Sequence, residues 1–431
     1  MKPLVRMKVT TSNENINSLG GLNFISSEFD TMGMPSLITS VLKSRSMLAT
    51  YEYSDILKCI WMLFFASGDC AEDIHTNLKQ ELSNVVGMKI PSADSILRLQ
   101  KELSLEKEIH ISKANITNEF SKHVKLNQLN LEILLKTKQL IADKSYDLDF
   151  DNQFIPCEKY DSKKGYKMER GYFPGIATIG KNIVYFENRN GNSNVKFKQA
   201  ETLEATYNLL KDKGIKIKRS RMDCGSFTQE VIEMVEKHSE LFYIRAQRCP
   251  ELTSQIKAVT KWKKTTIGFK EVEICTVNYK PFGKDKSYRY VVSRSANKTG
   301  QTDVFQEDNF IYRAIITNDL LNEDEEVIEY YNQRGASEKI LDEMNNDFGW
   351  ANLPFSFLEH NTVYMLITAM CRNFYLYILE KLSQKLPFVE NTFRLKKFIF
   401  RFVVVPYKWI KKGGQKTLKL FTTKPYQLAL G

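Results

Sequence analysis

Three groups of acidic residues, in distant parts of a 431-residue chain, have types and spacings that could do chemistry. Asp147, Asp149 and Asp151 fall at i, i+2 and i+4 in Tyr146-Asp147-Leu148-Asp149-Phe150-Asp151. Strict alternation predicts a half-buried strand, which puts all three on one face. Like charges on one face repel, so such a strand either borders solvent at a sheet edge or holds a cation. Asp223 closes a strand-like run, 215–223, and precedes Cys224-Gly225. Ligands bind at the carboxyl ends of strands in open α/β sheets. An equal alternative is a turn aspartate bonded to nearby backbone N–H groups. Cys224 reads as a small buried thiol and not as a nucleophile, since no His lies near it in sequence.

The third group is Tyr331, Arg334 and Glu338. Their spacings of three and four place them on one face of a long helix expected from about Glu323, between Val327 and Leu341. An inward stripe that carries Arg and Glu implies a buried carboxylate, which needs a partner or a metal. The plainer reading is a surface Arg–Glu pair worth about 0.2–0.5 kcal/mol. The acidic run Glu323 to Glu326 suits the helix N-terminus through its dipole and needs no other role. One chemistry unites the three groups. Two divalent cations about 3.5–4 Å apart can clamp the attacking and leaving oxygens of a phosphodiester. Mg²⁺ prefers carboxylate oxygen, and Mn²⁺ can substitute. The chain has five His and no zinc-binding His motif, and it has no G-x-x-x-x-G-K-[ST], so no nucleotide cofactor is expected.

These residues need elements to position them. Apolar periodicity predicts a mostly helical region up to about residue 135. Ser92 can cap a helix that carries Ile96, Leu97, Leu99 and Leu103, with Arg98, Gln100 and Lys101 on other faces, either as a bundle helix or as a DNA-reading one. From Ile141 the order becomes three strands, helix, strand, helix, strand. This predicts a mixed α/β sheet with a right-handed crossover. Gly214 ends the first of these helices, and Ser226 with Gln229 has capping-box spacing for the second. Residues 247–310 show strand-like runs and no helix-length period. A strand at Phe310–Thr317, the Glu323 helix and an apolar helix over 362–382 follow.

Composition sets bounds. Apolar residues make up 42% and aromatics 12% of the chain, which excludes wholesale disorder. Seven cysteines are widely spaced with no C-x2-C pair, so free and mostly buried thiols in a reducing compartment are expected. No secretory signal and no apolar run of about 20 residues is evident, which predicts a soluble cytoplasmic protein off the membrane. Lys and Arg exceed Asp and Glu by 11. Ten of those charges lie in residues 391–431, which hold no acid and interleave Phe and Trp409. Lys396, Lys397, Lys411 and Lys412 belong to this tail. A second cluster, Lys216, Lys218, Arg219 and Arg221, leads into Asp223. Both are candidates for phosphate contact.

Together these motifs resemble bacterial insertion-sequence transposases of the DDE class, which have a ribonuclease H-like core. Tyr331-x2-Arg334-x3-Glu338 matches a Y-x2-R-x3-E signature, and Tyr331-Asn332-Gln333-Arg334-Gly335 is most similar to the branch called insertion-sequence family thirteen-eighty. Leu148-Asp149-Phe150-Asp151 matches the L-D-x-D form of the first motif, with Asp151 as the catalytic choice and Asp149 as fallback. Arg221-Met222-Asp223 matches R-x-D. Where related families carry a Lys seven residues after the Glu, this chain has Asn345. The resemblance runs from Gly20-Gly21-Leu22 to the basic tail.

The resemblance implies an α/β, ribonuclease H-like mixed-sheet core with a β-rich insertion. It divides the chain into a helical DNA-end-binding domain (1–140), a first core part (141–246), the insertion (247–310), a second core part with the Glu-bearing helix (311–385) and a basic tail (386–431). It implies catalytic and metal-ligating roles for Asp151, Asp223 and Glu338 with two Mg²⁺. DNA contacts would come from Tyr331, Arg334, Arg98 and the basic clusters. The partners would be double-stranded DNA and a second copy, as a homodimer in the DNA complex near the nucleoid. A catalytically inactive DNA-binding derivative and a ribonuclease H-like nuclease are the rival readings.

Overall fold

The computed structural model describes residues 8–166, 168–283, 286–297 and 310–430. Part of the expected insertion, 284–285 and 298–309, therefore lies outside the described residues, as do the first seven residues of the expected end-binding domain. The chain forms two compact units. One draws on 36–44 and 98–377, the other on 1–35, 45–97 and 378–431.

The larger unit is built on one eleven-stranded sheet. Its strands are β1 (Glu108–Ile111), β2 (Thr117–Lys122), β3 (Ser145–Asn152), β7 (Gly175–Ile179), β8 (Asn182–Arg189), β9 (Lys216–Met222), β10 (Ser239–Arg245), β11 (Lys263–Ile267), β12 (Lys270–Tyr279), β13 (Tyr288–Ala296) and β14 (Phe310–Thr317). The numbers β4 (Ile155–Pro156), β5 (Lys163–Lys164) and β6 (Arg170–Tyr172) belong to a small separate sheet. The spatial order is β1-β2-β8-β7-β3-β9-β10-β14-β13-β12-β11. β3, β7 and β8 form the expected antiparallel meander, closed at Gly180 with φ +59°. β9 and β10 then join parallel to β3 and to each other. Three antiparallel strands followed by two parallel ones, in the order 8-7-3-9-10, is the ribonuclease H-like arrangement.

Helices cover both faces: one face of β3, β9 and β10 is apolar, and on the other β10 and β13–β14 are apolar while β3 and β9 carry paired Asp and Arg. Leu148, Phe150, Met222 and Phe242 pack with Leu203 and Tyr207 of helix Gln199–Asp212 and Val231 and Val235 of helix Gln229–His238. Tyr243, Val291 and Ile315, on the other face, pack with Val327, Ile328 and Tyr331 of helix Asp324–Asn332. Gly214 ends helix Gln199–Asp212 at φ +72°, as expected. The next helix is capped by Thr228, whose side chain accepts from Val231 N at 3.2 Å. Ser226 instead sits in the short turn Cys224–Ser226 and accepts a hydrogen bond from Gln199 at 2.8 Å.

Three expectations change. The region before residue 135 is not all helical, since β1 and β2 add to the sheet beside β8. Their alternation is weak because Glu108–Ile111 is exposed on one side. The residues after 247 contain a two-turn helix, Pro250–Lys257, and the strands β11–β13 extend the same sheet past β14. The long helix from Glu323 is broken. It runs Asp324–Asn332, turns once through Gln333–Gly335 and restarts at Ala336–Asp347.

In the smaller unit the basic tail is structured. β15 (Tyr407–Lys412) and β16 (Gln415–Leu420) form a hairpin, and Asn17 and Leu19 bridge to Tyr407 and Val405. Gly20 and Gly21 let the two backbones touch. Gly20 N donates to Val405 O at 2.9 Å, and a Cβ on Gly21 would collide with the Phe402 carbonyl. Helix Leu358–Ser383 is long and apolar enough to cross a membrane, yet 89% of its most apolar stretch is buried inside the protein. All seven cysteines are free. Cys59, Cys275 and Cys371 are buried, whereas Cys224, expected to be buried, is exposed.

Candidate active site at the ends of two parallel strands

The site follows from the register of β3 against β9. Asp147 is opposite Arg219, Asp149 opposite Arg221, and Phe150 opposite Met222. The next residues in line are Asp151 and Asp223. Side chains of one sheet row share a face, so the three aspartates meet two arginines and then an aspartate. The first two pairs are closed. Arg219 Nε and Nη2 donate to Asp147 at 2.8 and 2.6 Å. Arg221 Nε and Nη2 donate to Asp149 at 2.7 and 2.8 Å. Such forked pairs are the geometry in which a guanidinium binds a carboxylate most strongly.

Tyr330 lies over both arginines, 4.0 Å from Arg219 Cζ and 4.5 Å from Arg221 Cζ. Arg221 Nη1 also donates to Tyr330 O at 2.8 Å. The neighbouring Tyr331 is buried, and its hydroxyl donates to Met222 O at 3.2 Å. These contacts dock helix Asp324–Asn332 onto the sheet directly above the site. The turn that follows carries Arg334 to Asp151, with Nη1 3.2 Å from Oδ2.

Asp151 and Asp223 are thus the unbalanced end of the row. Burial lifts the Asp151 carboxyl to about 6, Arg334 pulls it down, and Asp223 pushes it up. Asp223 Oδ1 accepts from Gly225 N at 2.9 Å, so it caps its own turn as well as facing Asp151. Burial also raises Asp149, partly offset by Arg221. Asp149 is committed to Arg221 on the neighbouring strand, whereas Asp151 is met by Arg334 from a helix turn.

Glu338 is placed differently from expectation. It is exposed on helix Ala336–Asp347, beyond the single turn Gln333–Gly335 that separates this helix from the one carrying Tyr331. Among the described residues, no group of three or more His, Cys, Asp or Glu side chains is gathered to hold a metal. Two adjacent aspartates of hard oxygen donors, one with a raised pKa, fit a divalent cation in part. The third carboxylate is not assembled with them.

The basic cluster before Asp223 divides by exposure. Lys216 and Lys218 are exposed, whereas the guanidinium groups of Arg219 and Arg221 are held by Asp147 and Asp149. Arg98 is exposed on helix Ala93–Leu103, which Ser92 caps through Ser95 N at 3.2 Å. Lys396, Lys397 and Lys411 are exposed in the smaller unit, and Lys412 lies at the end of β15. Sequence reasoning missed the pairing of Asp147 and Asp149 with Arg219 and Arg221, and with it the role of Tyr330. The signal was present: two strands carry charged residues of opposite sign with the same period of two.

The whole chain, residues 3–430, matches the family described as Transposase DDE domain group 1. Among solved structures the chain is similar to a piggyBac transposase synaptic complex with hairpin DNA, determined by cryo-EM. That likeness has a TM-score of 0.44 at 10% identity and covers 89% of this chain and 78% of the other. No curated protein matches. With a match that spans nearly its entire length, the chain belongs to the Transposase DDE domain group 1 family.

Proposed function

We propose that the protein is a DNA transposase that cuts the inverted-repeat ends of an insertion sequence and joins the freed 3′-OH ends to target DNA. The observation that carries this reading is the Asp151–Asp223 pair at the ends of two parallel strands, with Arg334 Nη1 3.2 Å from the Asp151 carboxylate. The signature Tyr331-x2-Arg334-x3-Glu338 supports the insertion-sequence branch named above.

Asp151 and Asp223 would hold divalent cations, with Glu338 as the third ligand. Two Mg²⁺ ions held there would supply Lewis-acid stabilisation of charge on the phosphate and a more acidic water. The chain's own contributions are separate. The Asp149–Arg221 and Asp147–Arg219 pairs lock β3 against β9, so that the two catalytic aspartates cannot drift apart. Tyr330 and Tyr331 fix the helix whose end delivers Arg334. Arg334 neutralises Asp151 in the resting protein and would turn to a phosphate oxygen when a cation takes the carboxylate. The exposed Lys216, Lys218, Arg98, Lys396, Lys397, Lys411 and Lys412 would follow the DNA backbone. A homodimer would bring two ends together, and the reaction would take place at the bacterial nucleoid.

The deciding experiment replaces Asp223 with Asn and assays cleavage of a duplex that carries the element's ends. Cleavage should vanish while end binding persists in a gel shift. Retained cleavage would remove Asp223 from the assignment. Loss of both activities together would not separate folding from chemistry, so the variant's melting temperature is measured alongside and should stay close to that of the parent.

A further inference from the structure

The row that holds Asp151 and Asp223 has a third member. β10 runs parallel to β9 with Ile244 opposite Met222, so Arg245 follows Asp223 across the sheet. Arg245 ends β10 and lines a cavity of about 450 Å³ with Arg248, Lys257, Tyr312 and Arg313. Among the described residues, no acidic side chain lines this cavity. Elsewhere in the larger unit, arginines that approach the sheet are met by carboxylates: Arg189 by Glu187, Arg219 by Asp147, Arg221 by Asp149, Arg289 by Asp324, Arg294 by Glu273 and Arg334 by Asp151. Among the described residues, Arg245, Arg248 and Arg313 form no ion pair and no side-chain hydrogen bond.

Three guanidinium groups with no carboxylate partner among the described residues, Arg245 half-buried and Arg248 and Arg313 exposed, border one half-enclosed space and repel one another. Burial lowers the pKa of Arg245, and the nearby charges of Arg313 and Arg248 lower it further. A fold that neutralises its other sheet-borne arginines and leaves these three open has left room for an anion. The space is too large for a lone chloride, and Tyr312 and Arg313 are among the residues that line it. Phosphodiester oxygens suit planar, forked donors of this kind.

We propose that Arg245, Arg248 and Arg313 form a subsite for backbone phosphates of duplex DNA, continuing the row that carries Asp151 and Asp223. This rests on the reading of DNA as the substrate and adds where the strand leaves the site: from Asp223 past Arg245, over the end of β10 and onto β14. The arginines act by binding and take no part in bond breaking. A phosphate held there fixes the register of the strand at the aspartates.

The test is binding of a short duplex of arbitrary sequence by the full chain, without metal, over a range of salt concentrations. Each lost phosphate contact lowers the slope of log K against log salt by about 0.9. The double variant Arg245→Gln/Arg313→Gln should therefore lose about two units of slope, while its melting temperature stays level or rises because a repulsion has been removed. The charge-matched control Lys136→Gln/Lys211→Gln should leave the slope in place. An unchanged slope in the arginine variant, or an equal loss in the lysine control, would overturn the subsite. So would protection of the parent against heat by inorganic phosphate, lost in the variant, with the DNA slope unchanged; that result would assign the cavity to a free anion. The outcome is independent of catalysis. If the parent binds DNA through this subsite but never cuts it, the subsite stands and the transposase reading fails.

Discussion

Arg334 Nη1 lies 3.2 Å from Asp151 Oδ2, so the catalytic-candidate aspartate is neutralised from a helix turn and not from the neighbouring strand. Asp147 and Asp149, on the same strand, take their arginines from β9. The difference matters because a strand-borne arginine is fixed by the sheet, whereas Arg334 stands on a single turn between two helices. A cation arriving at Asp151 can displace it without breaking the fold.

Replacing Arg334 with Gln should therefore separate two quantities. Cation affinity, measured by Mn²⁺ calorimetry, should hold or tighten because a competing charge has gone. Cleavage should fall by at least about tenfold, some 1.4 kcal/mol, if the guanidinium serves a phosphate. Weaker Mn²⁺ binding in the variant would show that Arg334 supports the site and does not compete for it.

Asp149 and Asp151 should behave as opposites. Asp149→Ala leaves Arg221 buried without its carboxylate and should cost about 3–5 kcal/mol in chemical denaturation. Asp151→Asn should cost far less stability and should abolish Mn²⁺ binding. If Asp149→Asn loses cation binding while Asp151→Asn keeps it, the two roles are reversed.

Acid should empty the metal site. The Asp151 carboxyl stands at about 6 against an ordinary 3.8, chiefly through burial. The folded protein then holds this proton more tightly than the unfolded chain. Stability from the group is complete below the ordinary value and is lost as pH rises through about 6. The charged form that ligates a cation is the one favoured above 6, so Mn²⁺ affinity should weaken as pH falls below 6, by up to about tenfold per unit. A flat affinity between pH 5 and 7.5 would contradict the assignment of Asp151 as a ligand.

A second pH effect should come from His123. Its Nδ1 accepts from Leu126 N at 3.1 Å and caps helix Val124–Lys136, while its Nε2 meets Leu103 O at 2.7 Å. That arrangement needs a neutral ring, and burial lowers its pKa from 6.5. The stabilisation is complete above 6.5 and is lost as pH falls through the lowered value. His123→Ala should cost about 1 kcal/mol or more at pH 8 and should flatten this part of the acid loss in thermal melts.

The basic hairpin calls for point changes. Removing 391–431 would take buried Phe398, Phe402 and Tyr407 with the charge, and the smaller unit would lose part of its core. Lys396→Gln/Lys397→Gln/Lys411→Gln leaves the core intact. It should lower the salt slope of DNA binding by up to about three units with no change in melting temperature. An unchanged slope would place the DNA elsewhere.

The sequence alone determined much of the central sheet. Alternating residues are a local property, so β3, β7, β8, β9 and β10 and their order could be read from the chain before any contact was known. The same local logic marked Asp151, Asp223 and Arg334 as residues worth attention. It could not say which aspartate of the strand stays open, because that depends on the register of β3 against a strand some seventy residues away. The parallel pairing gave Asp147 and Asp149 their arginines and left Asp151 beside Asp223. Tertiary structure also broke the Tyr331–Glu338 helix at 333–335. Docking Tyr330 and Tyr331 on the sheet fixes the first helix, and the turn separates the second from it. Helical spacing predicted one face for Tyr331, Arg334 and Glu338; packing against the sheet divided them, sending Tyr331 inward, Arg334 to Asp151 and Glu338 to the surface.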